Sequence, residues 1–156
     1  MTVVYDATTE DQRSVSAALS TFTHVAGAGT KGVLVGFVRA GTDVAITLVS
    51  YGGTSLVKIV KALDTTTEPG SAEWWYAPHT TAGSQTVSYN PGTVGSNIHA
   101  VAVTVTADAP PYAISNQVKQ ENTTSSSVSL TTGYVQGMAF GAYYGGGATP
   151  LSFTYA

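Results

Sequence analysis

"VSYGGTSL", Val49 to Leu56, sets two glycines between a β-rich run and a second apolar run. A glycine pair can cradle a phosphate or simply turn the chain. A phosphate loop needs G-K-[ST] after the glycines. None follows here, and Lys58 and Lys61 lie inside the next element. The pair therefore reads as the primed turn of a hairpin, where both central residues take positive φ and glycine does so without steric cost. Tyr51 is expected to pack beside that turn.

The flanks agree with a β protein. In "LSFTY" Leu151, Phe153 and Tyr155 share one face, with Ser152 and Thr154 on the other. In "IHAVAVTVT" the row is Val101, Val103 and Val105, led by His99. This period of two marks strands. "GVLVGFV", Gly32 to Val38, is apolar on both faces, as a central strand covered on both sides must be. In "YVQGMAFGAYY" bulky Tyr134, Met138, Phe140 and Tyr144 alternate with small residues, leaving one nearly bare face. "TSLVKIVKAL" is ambiguous. Leu56, Ile59, Val60 and Leu63 fall at helical spacing, but the Val and Ile content and the preceding glycines favour a strand. Turn signals such as "GAGTKG", "AGTD", "EPGS", "TAGS" and "NPGT" punctuate these runs. The expected fold is all-β, an antiparallel β-sandwich or jelly roll of eight to ten strands. Residues 1–13 are expected to form an N-terminal arm and residues 14–156 one domain.

Composition narrows the function. The 156 residues suffice for a core, and there is no cysteine, so there is no disulfide, thiolate metal site or thiol nucleophile. The opening "MTVVYDATTEDQRS" lacks the basic-then-apolar order of a signal peptide, and no apolar run is long enough to span a membrane as a helix. Charged residues are only 10% of the chain and the formal net charge is -3, against about 25% charged in ordinary domains. Arg13, Lys31, Arg39, Lys58, Lys61 and Lys119 are scattered, so no basic stripe for nucleic acid forms. A surface this poor in charge suits a subunit that buries much of its exterior in an assembly.

Chemistry-bearing patterns are weak. "GAGTKG", Gly27 to Gly32, matches G-x-G-x-x-G, but a strand follows it where a helix N-terminus is required, so it reads as a Gly-rich hairpin. His24, His79 and His99 have no neighbour at metal-ligand spacing, and no metal or other cofactor is expected. No G-x-S-x-G elbow is present. Glu73 in "EWWYAP" is the acid best placed for catalysis, beside Trp74 and Trp75, although such a Glu is more often the outward residue of an edge strand. Alternation sends Trp74 and Tyr76 to one face and Trp75 to the other. Trp75, with Tyr143 and Tyr144 in "AYYGGG", makes the candidate interface, either a subunit contact or a sugar-stacking platform.

Four stretches occur in a suggestive order: "STFTHVAGAG", "GVLVGFV", "ITLVSYGGTSLVKI" and "AEWWYAPHTTAGSQTVSY". The succession, over roughly Ser14 to Tyr89, resembles a β-sandwich module of tailed-phage virion proteins and some bacterial surface proteins. The Gly-rich tail after Val128 departs from that pattern. As a stand-alone domain the chain is most similar to capsid cement, or decoration, proteins. That resemblance implies a non-enzymatic structural protein on the outer surface of the virion. Its partners would be the major capsid protein and itself, as a homotrimer. The alternative is a glycan-binding or adhesion module of a phage tail or cell surface. An enzyme is a remote third.

Overall fold

The computed structural model describes residues 3–14, 19–41, 44–64, 70–92, 97–107, 140–142 and 153–155. Nine of its strands build two antiparallel sheets. One sheet holds β1 (Val3–Ser14), β9 (Asn97–Ala107), β3 (Thr30–Ala40), β7 (Gly70–Pro78) and β6 (Val57–Asp64), side by side in that order. The other holds β2 (Ser20–Ala26), β8 (Gly83–Asn90), β4 (Thr47–Tyr51) and β5 (Thr54–Ser55). A separate antiparallel ribbon pairs β10 (Phe140–Ala142) with β11 (Phe153–Tyr155), and β10 approaches β3 and β7. There is no helix among the described residues. The segment with helical spacing is β6, paired to β7 from Val57↔Tyr76 to Asp64↔Gly70. Its β-branched residues sit on a pleated sheet, and tertiary pairing overrides the helical period.

The core follows from alternation. On β3, Val33, Val35 and Phe37 point between the sheets and meet Val49, Tyr51, Val87, Tyr89, Ile98, Ala100 and Ala102. Leu34 points the other way, into a second cluster with Trp74, Val101, Val103 and Val105. β3 is therefore buried on both faces, as an apolar run with no polar alternation requires. Each large side chain there removes enough apolar surface from water to contribute about 1.5–3 kcal/mol.

The N-terminal stretch differs from expectation. Val3–Ser14 is no arm but a full edge strand, in register with β9 from Val3↔Ala107 to Ser14↔Asn97. Its alternation is masked in the sequence by a bulge. The pairing shifts between Tyr5 and Ala7, leaving Asp6 as the extra residue. Val3 and Tyr5 stay on the outer apolar cluster while the phase changes beyond them. Most of "YVQGMAFGAYY" lies outside the described residues.

The Gly-Gly turn is a hairpin turn. Gly52 and Gly53 have φ of 54° and 82°, between paired Tyr51 and Thr54. The Gly52 amide donates to the Thr86 carbonyl at 2.9 Å. A Cβ on Gly52 would collide with the Gln85 side chain, whereas one on Gly53 would meet nothing within 4 Å. Gly52→Val is therefore expected to destabilise by about 1–3 kcal/mol through strain plus the clash, and Gly53→Ala by about 1 kcal/mol from φ alone. Urea midpoints of the two variants check this. Equal midpoints would show that Gln85 does not constrain the turn.

Candidate functional site

The half-buried carboxylate of Asp6 gathers the largest polar cluster. The bulge in β1 turns its side chain towards the β2–β3 hairpin. Its Oδ2 accepts from the Gly27 amide at 2.8 Å and from the Thr104 hydroxyl at 2.8 Å. Thr30 Oγ1 lies 3.0 Å from the same oxygen and 2.7 Å from the Gly27 carbonyl, so its one proton is shared by two acceptors. Gly27 must be glycine because a Cβ there would overlap the Asp6 carboxylate. The loop that matches a dinucleotide signature thus already holds an anion, and the anion is the protein's own.

The cluster continues inward through His24, which is fully buried. Its Nε2 is 3.1 Å from Thr104 Oγ1 and its Nδ1 is 3.0 Å from Thr9 Oγ1. Because the Thr104 proton goes to Asp6, the Thr104 oxygen accepts, and Nε2 carries the imidazole proton. Nδ1 then accepts from Thr9. The chain Thr9–His24–Thr104–Asp6 joins β1, β2 and β9, and so ties the two sheets together at one edge. Thr104, fully buried, separates the histidine from the carboxylate.

Burial disfavours the charged form of His24 and lowers its pKa, opposed in part by the Asp6 charge. Burial of Asp6 acts to raise its pKa, but the hydrogen bonds from Thr104, Gly27 and Thr30 and the nearby His24 outweigh it, leaving the value lowered. Tyr51, packed 5.8 Å from the His24 ring and edge-on to His79 at 4.6 Å, is pushed up to about 12, first by burial and then by the Asp6 charge.

Glu73 makes the second cluster. It is not an outward edge residue. β7 is flanked by β3 and β6, and the Glu73 side chain is buried on the inner face, 2% exposed. A carboxylate out of water needs compensation. Trp75 Nε1 donates to Oε1 at 3.1 Å, and Lys58 Nζ lies 2.9 Å from Oε2. The same ammonium sits 4.9 Å from the Trp75 ring centroid, and the ring packs on the inter-sheet core. With one face against the core and a lysine over the ring, Trp75 is poorly placed to stack a sugar. Trp74 is buried in the outer cluster. Tyr143 and Tyr144 lie outside the described residues, so Trp75 is the one candidate interface residue whose surroundings can be stated. His79 is buried, with Nε2 2.9 Å from the Thr81 carbonyl, and His99 Nε2 lies 3.2 Å from Glu10 Oε2 on the outer face. No group of three metal-ligating acids or histidines occurs among the described residues.

Sequence reasoning missed the Asp6 cluster because its partners are 21, 24 and 98 residues away. The one local signal was a lone histidine at an inward position of "TFTHV". No protein-family description, no curated protein and no solved structure matches this chain.

The cluster has a pH signature. His24 is held neutral when folded, whereas the unfolded chain takes up a proton near 6.5. Stability therefore falls as pH drops below 6.5. Asp6 stabilises the ionised fold above 3.8, and that contribution is lost as pH falls further. Tyr51 works in the opposite direction, since the unfolded phenol ionises near 10.0 and the folded one near 12, so stability falls again above pH 10. Melting midpoints should show a plateau near neutrality with losses on both sides. Asp6→Ala should lower the plateau by on the order of 3 kcal/mol, since it strands Gly27 and Thr104 donors. A flat profile between pH 7 and 5, or an unchanged Asp6→Ala plateau, would contradict the assignment.

Proposed function

We propose that this chain is a non-enzymatic structural subunit, a capsid cement protein that binds the outer surface of a tailed-phage shell as a homotrimer and stabilises it. The observation that carries this reading is where the charge lies. Among the described residues every Asp, Glu, Lys and Arg belongs to the five-stranded sheet. The strands STFTHVA, TLVSY, TS and GSQTVSYN of the other sheet contain none. A whole sheet without charge is costly for solubility in isolation and well suited to a surface that neighbours cover. The two acids gathered into buried clusters are already engaged. Glu73 is held by Trp75 and Lys58, and Asp6 by Gly27, Thr30 and Thr104.

The order of strands from "STFTHVAGAG" to "TVSY" supports the virion assignment, as a resemblance. Packaged DNA pushes a shell outward, and small contacts across capsomer seams, repeated over many copies, raise the cost of separating them. The major capsid protein is the partner under this reading, and nucleic acid is not, since no basic stripe exists. Purified protein should have a native mass three times the 16.0 kDa chain and should co-sediment with shells of the major capsid protein. A monomer that never co-sediments would refute the proposal.

A further inference from the structure

The charge-free sheet has a regular outward face. Across its four strands Thr21, Ser88, Ser50 and Ser55 stand directly opposite one another. The next rows pair Thr23 with Thr86 and Val25 with Ser84. Their neighbours Val49, Tyr51, Val87 and Tyr89 point into the core, which fixes this set on the outside. Thr21, Thr23, Val25, Ser55, Ser84 and Thr86 are exposed. At one corner a bulge in β4 puts Leu48 and Val49 opposite the single residue Tyr89, between the pairs Thr47↔Asn90 and Ser50↔Ser88. Val49 goes inward. Leu48 is thrown outward, 72% exposed, at a φ of 53° that a leucine rarely adopts. A strained backbone that holds an apolar knob off a flat, small-residue face is a docking geometry.

We propose that this face pairs with the same face of a second copy of the chain, sheet against sheet about a two-fold axis. Three physical facts favour a copy over another partner. Each Ser or Thr hydroxyl is both donor and acceptor, so the face is complementary to itself, as a row of carboxylates or lysines cannot be. With no Asp, Glu, Lys or Arg among the described residues of the face, two chains of net charge -3 can meet there without like-charge contact between those residues. Stacking also puts the two charged sheets outermost, roughly 30 Å apart at about 10 Å per sheet spacing, beyond the ~8 Å screening length. In a two-fold pair each Leu48 can settle over the small side chains of the other copy. Its strands have 7, 8, 5 and 2 residues, and strand rise and spacing give the face on the order of 350 Å² per copy. That is about 700 Å² for both copies, well below the ~1,600 Å² of a standard stable interface. The pairing is therefore weak, and its strength does not depend on salt.

This inference does not rest on the virion reading. Sedimentation velocity, at chain concentrations from micromolar to roughly 1 mM, should show mass rising towards twice that of the species present at the lowest concentration, with the same curve at low and high salt. Thr23→Lys with Thr86→Lys, and separately Thr23→Glu with Thr86→Glu, should each abolish pairing. Mixing the two double variants should restore it, which misfolded chains could not do. Val4→Lys, on exposed β1 of the charged sheet, should leave pairing intact. A mass that stays constant over that range overturns the inference. So does association that survives the lysines, or that disappears at high salt. A three-chain mass indifferent to the Thr23 and Thr86 changes would uphold the trimer and overturn this face.

Discussion

One carboxylate closes the open edge of this sandwich. A sandwich has two sheets whose first strands need not meet, and here β1 and β2 meet through Asp6 and His24. Asp6 reaches Gly27 at the end of β2's hairpin and Thr104 on β9. His24 carries the link on to Thr9. Remove the charge and a backbone amide and two hydroxyls lose an acceptor at once, in a place where water cannot fully replace it. The bulge at Asp6 and the bare Cα of Gly27 both serve that one anion, while burial keeps His24 neutral against its pull.

The same economy governs the rest of the molecule. Among the described residues charge is confined to the five-stranded sheet. Glu73 is buried, yet it has an indole N–H and a lysine. The four-stranded sheet excludes charge altogether and covers its outer face with hydroxyls. Its core is built by Tyr51, Val87 and Tyr89 pointing inward from the same strands that send Ser50, Thr86 and Ser88 outward. The proposed role in assembly rests on this sheet, whose four strands carry no charged residue.

Much of the fold was legible because its signals are local. The period of two in "IHAVAVTVT", the all-apolar "GVLVGFV" and the Gly-Gly pair each depend on neighbours within a few residues, and each is where the structure puts it. The edge strand β1 was not legible. One inserted residue at Asp6 breaks its alternation, and a polar strand with a broken period looks like an arm. Glu73 was read as an outward edge residue because "EWWYAP" gives no hint that Lys58, on another strand, lies 2.9 Å away. The charge-free sheet was visible in principle, since none of its four strands contains Asp, Glu, Lys or Arg, but its meaning appears only when those strands are known to be neighbours.

Native-state hydrogen exchange tests the central claim most directly. If the Asp6 cluster fastens β1 to both sheets, the β1 amides that donate to β9 exchange as slowly as those of β3, through global unfolding alone, and the Gly27 amide is protected with them. If β1 amides and Gly27 exchange orders of magnitude faster than β3, the strand frays independently, and the cluster does not hold the sandwich closed.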